Sequence, residues 1–227
     1  MYNKEIRITG PDRQRRPVRA VIRTYAEADF DELIRIQAES FPPPYPEELL
    51  WNHEQLASHV AHYADGAICI EVDGELAGSM TSLRIQWNPA QPDNHSWTEV
   101  TDDGYIRNHQ PDGNTLYIVD LCVRPKYRKW GLAQLMMQAM YQLVIHQGMD
   151  RLLGAGRMPG YHLVAEQMSA EQYLEQVVAG ELHDPVISFL LRCGRMPVGV
   201  TANYLDDEES CDYAALMEWS NPFIEVV

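Results

Sequence analysis

Val123-Arg124-Pro125-Lys126-Tyr127-Arg128-Lys129-Trp130-Gly131-Leu132-Ala133 stands between a strand-like run, Leu116 to Val123, and a helix-like run, Leu132 to Gln147. A turn of the form Arg-x-x-Gly-x-Ala in that setting aims several backbone N–H groups at one point. The first turn of a helix leaves its donors unpaired and carries a partial positive charge, which suits an anion. Gly131 permits the tight turn and lets a phosphate approach with no Cβ in the way. Ala133 keeps the first helical turn slim. Arg124, Lys126, Arg128 and Lys129 fall within six positions of a chain whose formal net charge is -15. A basic knot at a helix start, inside an acidic protein, fits a ligand carrying several phosphates.

The strand before the turn is apolar except for Tyr117 and Asp120, the pattern of a central strand. Period-two alternation puts Asp120 on the face of Ile118 and Cys122. A carboxylate there is costly to bury unless paired. Asp120 therefore reads either as a group that binds an ammonium and accepts its proton, or as a structural residue held by backbone donors. The helix after the turn carries Leu132, Leu135, Met136, Ala139 and Leu143 on one stripe and ends at Gly148. Met136, Met137 and Met140 read as core filler.

Working outward, residues 1–17 form an arm or an extra edge strand, and 18–227 a single domain. Arg19 to Tyr25 alternates as a strand. Asp29 opens a helix through Ser40, Pro42-Pro43-Pro44 breaks it, and a second helix is expected from Pro46 to Tyr63, with Glu48, Trp51 and His53 on it. Ala67–Val72 and Leu76–Gln86 form a hairpin about Asp73-Gly74. Residues 88–114 are a long polar connection, the kind that serves as a substrate loop or lid. Arg151–Ala155 is a strand. Ser169 and Gln172 form a capping box for a helix to Ala179. Pro185 opens the next helix. Pro197–Tyr204 and Tyr213–Trp219 pair, and Asp206-Asp207-Glu208-Glu209 reads as their solvated turn.

With 227 residues and 45% hydrophobic content, the chain can bury one sizeable core. Its acidity argues against nonspecific nucleic-acid binding, which relies on neutralising phosphates. It favours a cationic substrate or simply solubility. The four cysteines, Cys69, Cys122, Cys193 and Cys211, form no Cys-x-x-Cys pair and read as free thiols. Met1-Tyr2-Asn3-Lys4-Glu5 lacks an apolar signal core, and no apolar run approaches the ~20 residues that span a bilayer. These features predict a cytoplasmic protein without membrane association. His59 and His62 share a helix face but lack a third ligand, so no metal is expected.

Val123, Pro125, Arg128, Gly131 and Ala133 match the acetyl-coenzyme A motif Val-x-Pro-x-x-Arg-x-x-Gly-x-Gly/Ala, and the chain thereby resembles the GNAT N-acetyltransferases. Leu190-Leu191-Arg192-Cys193-Gly194-Arg195 resembles that family's Tyr-x-x-x-Gly-Phe, with Leu190 in place of the Tyr and Arg195 in place of the Phe. Gly156 to Tyr161 and Asn203-Tyr204-Leu205 look like the acetyltransferase domain fused to a carbon–nitrogen hydrolase in some bacterial proteins. The resemblance implies an α/β (α+β) fold: a mixed, mostly antiparallel sheet of about seven strands, flanked by helices, with splayed central strands. It implies acetyl-coenzyme A as co-substrate, held by Leu121, Cys122, Val123, Arg128, Lys129, Trp130, Gly131, Leu132, Ala133 and Gln134. It implies an amine acceptor and leaves a homodimer open. Asp120 is then the expected base. Tyr161 or His162, following the strand that flanks the cofactor, could protonate the leaving thiolate in place of the missing Tyr. The alternative is an acyl-coenzyme A binding module without turnover.

Overall fold

The computed structural model describes residues 2–11, 16–43, 45–90 and 96–224. Eight strands form one sheet: β1 (Asn3–Thr9), β2 (Pro17–Thr24), β3 (Ala67–Val72), β4 (Glu75–Ile85), β5 (Thr115–Val123), β6 (Arg151–Arg157), β7 (Met196–Thr201) and β8 (Ala214–Ser220). Their order is β1-β2-β3-β4-β5-β6-β8-β7. Neighbouring strands pair antiparallel except for β5 with β6. The sheet therefore has one strand more than the expected seven, and the N-terminal residues supply it as edge strand β1.

Among the described residues, six α-helices flank the sheet: α1 (Phe30–Ser40), α2 (His53–Tyr63), α3 (Trp97–Thr101), α4 (Leu132–His146), α5 (Ala170–Ala179) and α6 (Pro185–Arg192). Helix α1 buries Phe30, Leu33 and Ile36, and α4 buries Leu132, Met136, Met137 and Met140. The methionines are thus core residues. Helix α1 packs on β4 and β5, α4 on β3 to β6, and α6 on β6. The Ser169–Gln172 capping box starts α5, and Asp184 accepts from the Val186 and Ile187 amides where Pro185 opens α6.

Two expectations change, those of the helix from Pro46 and of the solvated acidic turn. The helix expected from Pro46 is broken: a 3-10 turn, Glu47–Leu49, precedes α2, whose N-cap is Asn52. Trp51 lies before α2 with its ring against His59 and Trp97. The polar connection is described at 88–90 and 96–114; residues 91–95, like Pro44, lie outside the described residues. Ile106 is fully buried, the Trp97 indole N–H donates to Val119 O (3.1 Å), and Gln55 Nε2 donates to Asp103 O (2.8 Å). Apolar anchors at Trp97 and Ile106 hold this segment to the rest of the fold, and Trp97 lines the cleft described below. The acidic turn is not wholly solvated, because Asp207 is 5% exposed and accepts both Arg157 Nε and Nη2 (2.6 and 2.5 Å).

Candidate active site

Strands β5 and β6 pair at only three positions: Thr115 with Arg151, Leu116 with Leu152 and Tyr117 with Leu153. Beyond them β5 keeps its bonds to β4, and β6 keeps its bonds to β8. The two strands part, and the edge of β5 from Ile118 to Val123 loses its β6 partner. A cleft of about 660 Å³ fills this opening. Ile118 to Val123 form one wall, Gly154 to Arg157 the other, with Phe189 and Leu190 of α6 flanking and Tyr45, Trp97 and Tyr204 toward one end.

The turn after β5 closes the other end. Gly131 is the N-cap of α4 at φ 77° and has no side-chain cap bond. Leu135 N donates to Gly131 O (3.0 Å), so the amides of Leu132, Ala133 and Gln134 have no helical acceptor. Lys129 also has a positive φ, 68°, which bends the approach to the helix. Arg128, Lys129 and Ala133 line the cleft. A Cβ built on Gly131 meets no atom within 4 Å, so packing does not demand the glycine there; its φ does, and so would close approach of a ligand.

The basic knot divides. Arg124 is 6% exposed, and its guanidinium is spent on Glu32 (2.5 Å), Glu39 (3.0 Å), Glu75 (2.9 Å) and Leu76 O (3.3 Å). Lys126 pairs with Glu75. These two cations hold the turn to α1 and to the β3–β4 hairpin. Arg128 and Lys129 remain for an anion, although Arg128 Nη2 also donates to Ser40 O (2.9 Å). Arg128→Ala should therefore weaken binding of a phosphate-bearing ligand by roughly 3- to 10-fold at low salt and less at high salt, since it removes one screened charge and keeps the amides. Titration at two ionic strengths checks this.

Asp120 lines the cleft, but not in the register that alternation implies. Thr81 faces Asp120 while Ser82 faces Ile118, so Val119 is a bulge residue in β5. The extra residue puts Ile118 and Asp120 on opposite faces, and Asp120 shares its face with Cys122. Asp120 Oδ2 is buried without a hydrogen-bond partner among the described residues. Burial pushes its pKa up to about 7; Cys122, the Leu121 amide, Gln37 and Trp51 pull the other way. Opposite it, Thr81 Oγ1 lies 2.9 Å from Tyr25 Oη, whose hydroxyl reaches His59 Nδ1 (2.8 Å). His59 Nε2–H donates to Gly104 O (2.6 Å), and burial lowers the ring's pKa to about 4. His59 is thus a neutral core histidine.

Tyr161 and His162 are not among the residues lining the cleft. Tyr161 is buried against Tyr173 and Tyr213 and donates to Met168 O (3.2 Å). His162 Nδ1 lies 2.9 Å from both Pro159 O and Glu209 O on the exposed side of a 3-10 turn, Tyr161–Leu163. That turn follows β6 and carries both side chains off the cleft wall. Trp130, Gly131, Leu132 and Gln134 also lie outside the lining, which takes Arg128, Lys129 and Ala133 from this segment. Sequence reasoning missed Tyr45, Trp97, Arg157 and Arg195 as cleft residues. Tyr45 stacks on Phe41 and lies under the Arg157 guanidinium at 5.2 Å. Nothing local marks these four; tertiary folding gathers them. The lining carries one carboxylate, Asp120, and four cations, Arg128, Lys129, Arg157 and Arg195, so the chain's acidity is not mirrored in its cleft.

Among the described residues, no helix is long and apolar enough to cross a membrane, and no group of three potential ligands gathers to hold a metal.

Residues 30–164 match the Acetyltransferase (GNAT) family. The chain is 52% identical over 202 residues to the uncharacterized N-acetyltransferase YkwB of Bacillus subtilis (strain 168), covering 89% of each. It is 41% identical over 202 residues to the probable hydrolase YhcX of the same organism, covering 88% of this chain but 38% of that one. Two solved structures share the fold at lower identity. The loading GNATL domain of CurA from Lyngbya majuscula superposes with a TM-score of 0.76 at 20% identity, over 89% of this chain and 98% of that one. The GphF GNAT-like decarboxylase in complex with isobutyryl-CoA gives 0.70 at 21%, over 88% and 98%.

Proposed function

The chain belongs to the acetyltransferase (GNAT) family and is an N-acetyltransferase, and we propose that it moves an acetyl group from acetyl-coenzyme A to a primary amine by direct attack. The acceptor is the amine of a small molecule or of a protein. One observation carries the reading: β5 and β6 part after Tyr117 and Leu153, and the opening runs to the uncapped start of α4. The donor's phosphates would sit on the amides of Leu132 to Gln134, with Arg128 and Lys129 beside them. The pantetheine arm would run along Leu121, Cys122 and Val123, taking the backbone bonds that β6 has released. Amides along that edge would also polarise the thioester carbonyl.

The amine nitrogen then attacks the carbonyl carbon. The N–C bond forms, the C–S bond breaks, and coenzyme A leaves as its thiolate. Asp120 takes the amine's proton. A carboxylate with a pKa near 7 is well matched to that task, because it is ionised at working pH yet basic enough to hold a proton. Tyr45, a phenol on the cleft wall within electrostatic reach of Asp120, is the group to which we give protonation of the thiolate. Tyr161 and His162 have no part in this scheme. Tyr161→Phe and His162→Ala should each keep turnover within about twofold, with Tyr161→Phe losing roughly 1 kcal/mol of stability through its bond to Met168 O. A steady-state rate and a melting curve check this.

A second reading, an acyl-coenzyme A binding module without turnover, draws support from Leu190, which stands in the cleft where the family's Tyr is usual. Release of free thiol from acetyl-coenzyme A across a panel of primary amines separates the two. Amine-dependent thiol release supports the enzyme; tight binding without release supports the module.

A further inference from the structure

Arg195 is 2% exposed, yet it lines the cleft together with Ile118, Gly154 and Tyr204. Its Nη2 donates to Gly154 O (2.9 Å) and to Met217 O. Its Nε is buried without a partner. No carboxylate pairs with it among the described residues, whereas the buried or half-buried Arg124, Arg151 and Arg157 each have at least one. The groups facing Arg195 are Tyr117 of β5, Tyr141 of α4, Cys193 at the end of α6, and Tyr204 of the β7–β8 connection. A cation buried with neutral neighbours is costly to keep. Two carbonyl bonds satisfy one of its nitrogens and leave the charge unmatched.

Its place in the fold says what would match it. Gly154 is the first β6 residue beyond the last β5–β6 pair, Tyr117 with Leu153. A Cβ on Gly154 would come within 3.1 Å of both Arg195 Nη2 and Ile118 Cβ. The guanidinium therefore sits at the apex where the strands separate, the opposite end of the opening from the α4 turn. Taking the donor placement proposed above, phosphates at the turn and pantetheine along β5 direct the acyl group toward that apex.

We propose that the preferred donor is the coenzyme A thioester of a short dicarboxylic acid, whose free carboxylate is read by Arg195. A guanidinium that has no carboxylate partner can take one through charge-assisted hydrogen bonding. The transfer itself is unaltered: the thioester C–S bond breaks, the amide N–C bond forms, Asp120 takes the amine's proton, and the distal carboxylate is carried over unchanged. Acetyl-coenzyme A is then the smallest donor the cleft admits rather than the one it selects. This inference rests on the acyl-coenzyme A reading of the cleft.

The test is calorimetric titration of the full chain with acetyl-, butyryl-, malonyl- and succinyl-coenzyme A. Butyryl and succinyl donors have acyl chains of equal length and differ in the carboxylate. Malonyl- or succinyl-coenzyme A should bind roughly 10-fold or more tightly than butyryl-coenzyme A, the gain of one charge-assisted pair. Arg195→Lys should retain part of that ratio, and Arg195→Met should bring it near one. Because Arg195→Met also strips two carbonyls of a donor and can unfold the chain, the wild-type ratio decides by itself. Equal or weaker binding of both dicarboxylic donors would overturn the inference while leaving the acyl-coenzyme A reading intact. Failure of all four donors to bind would overturn that reading and this inference with it.

Discussion

Gly131→Glu should abolish binding of acetyl-coenzyme A, raising Kd by at least roughly 10²-fold, in a chain that still folds. Gly131 sits at φ 77°, and a Cβ there meets no atom within 4 Å. The cost to folding is then the left-handed backbone alone, about 1–2 kcal/mol for a residue with a Cβ. At about 2–4 °C per kcal/mol for a chain of this size, the melting temperature should fall by only a few degrees. Binding is another matter, because the new carboxylate stands beside the unpaired amides of Leu132 to Gln134 and repels the phosphates they would receive. Gly131→Asn separates the two effects. Asparagine tolerates the same backbone and carries no charge, so it should weaken binding less than glutamate does. Titration beside a thermal melt reads both quantities.

Asp120→Asn should lower kcat by roughly 10²-fold or more while leaving donor affinity nearly unchanged. The pH dependence gives a sharper signature. Asp120 titrates near 7 in the folded chain and near 3.9 unfolded. Between those values the native state holds a proton that the unfolded state has released. Wild-type stability therefore falls as pH rises from about 4 to 7, while activity rises as the base ionises near 7. The asparagine variant has neither effect. It should melt above wild type at pH 8, match it near pH 4, and lack the limb of the rate profile near pH 7. A variant that melts lower at pH 8 and turns over normally would make Asp120 a structural residue.

Most of the fold was legible because it is written locally. The β3–β4 hairpin announces itself through Asp73-Gly74, α5 through the Ser169–Gln172 box, and α6 through Pro185. The α4 end of the cleft was legible for the same reason, since turn, glycine and helix start lie within about a dozen residues. Where readings failed, a tertiary cause intervened. Arg124 looked like a phosphate ligand until folding brought Glu32, Glu39 and Glu75 around it. Alternation put Asp120 with Ile118, but a bulge at Val119 is set by pairing with β4 and leaves no mark in a single strand. The end of the cleft away from the α4 turn gathers Tyr45, Trp97, Arg157 and Tyr204, residues that no spacing relates. Tyr161 looked close to the cofactor in sequence, yet the 3-10 turn after β6 carries it into the packing against Tyr173.

The central claim is that the opening between β5 and β6 holds an acyl-coenzyme A with its phosphates on the start of α4. Titration of acetyl-coenzyme A into the wild-type chain and into Gly131→Glu tests it most directly. The account predicts saturable binding of one donor per chain in the wild type, weakened by salt, and no detectable heat in the folded variant. No binding to the wild type at millimolar ligand, or equal affinity in a folded Gly131→Glu chain, would contradict it.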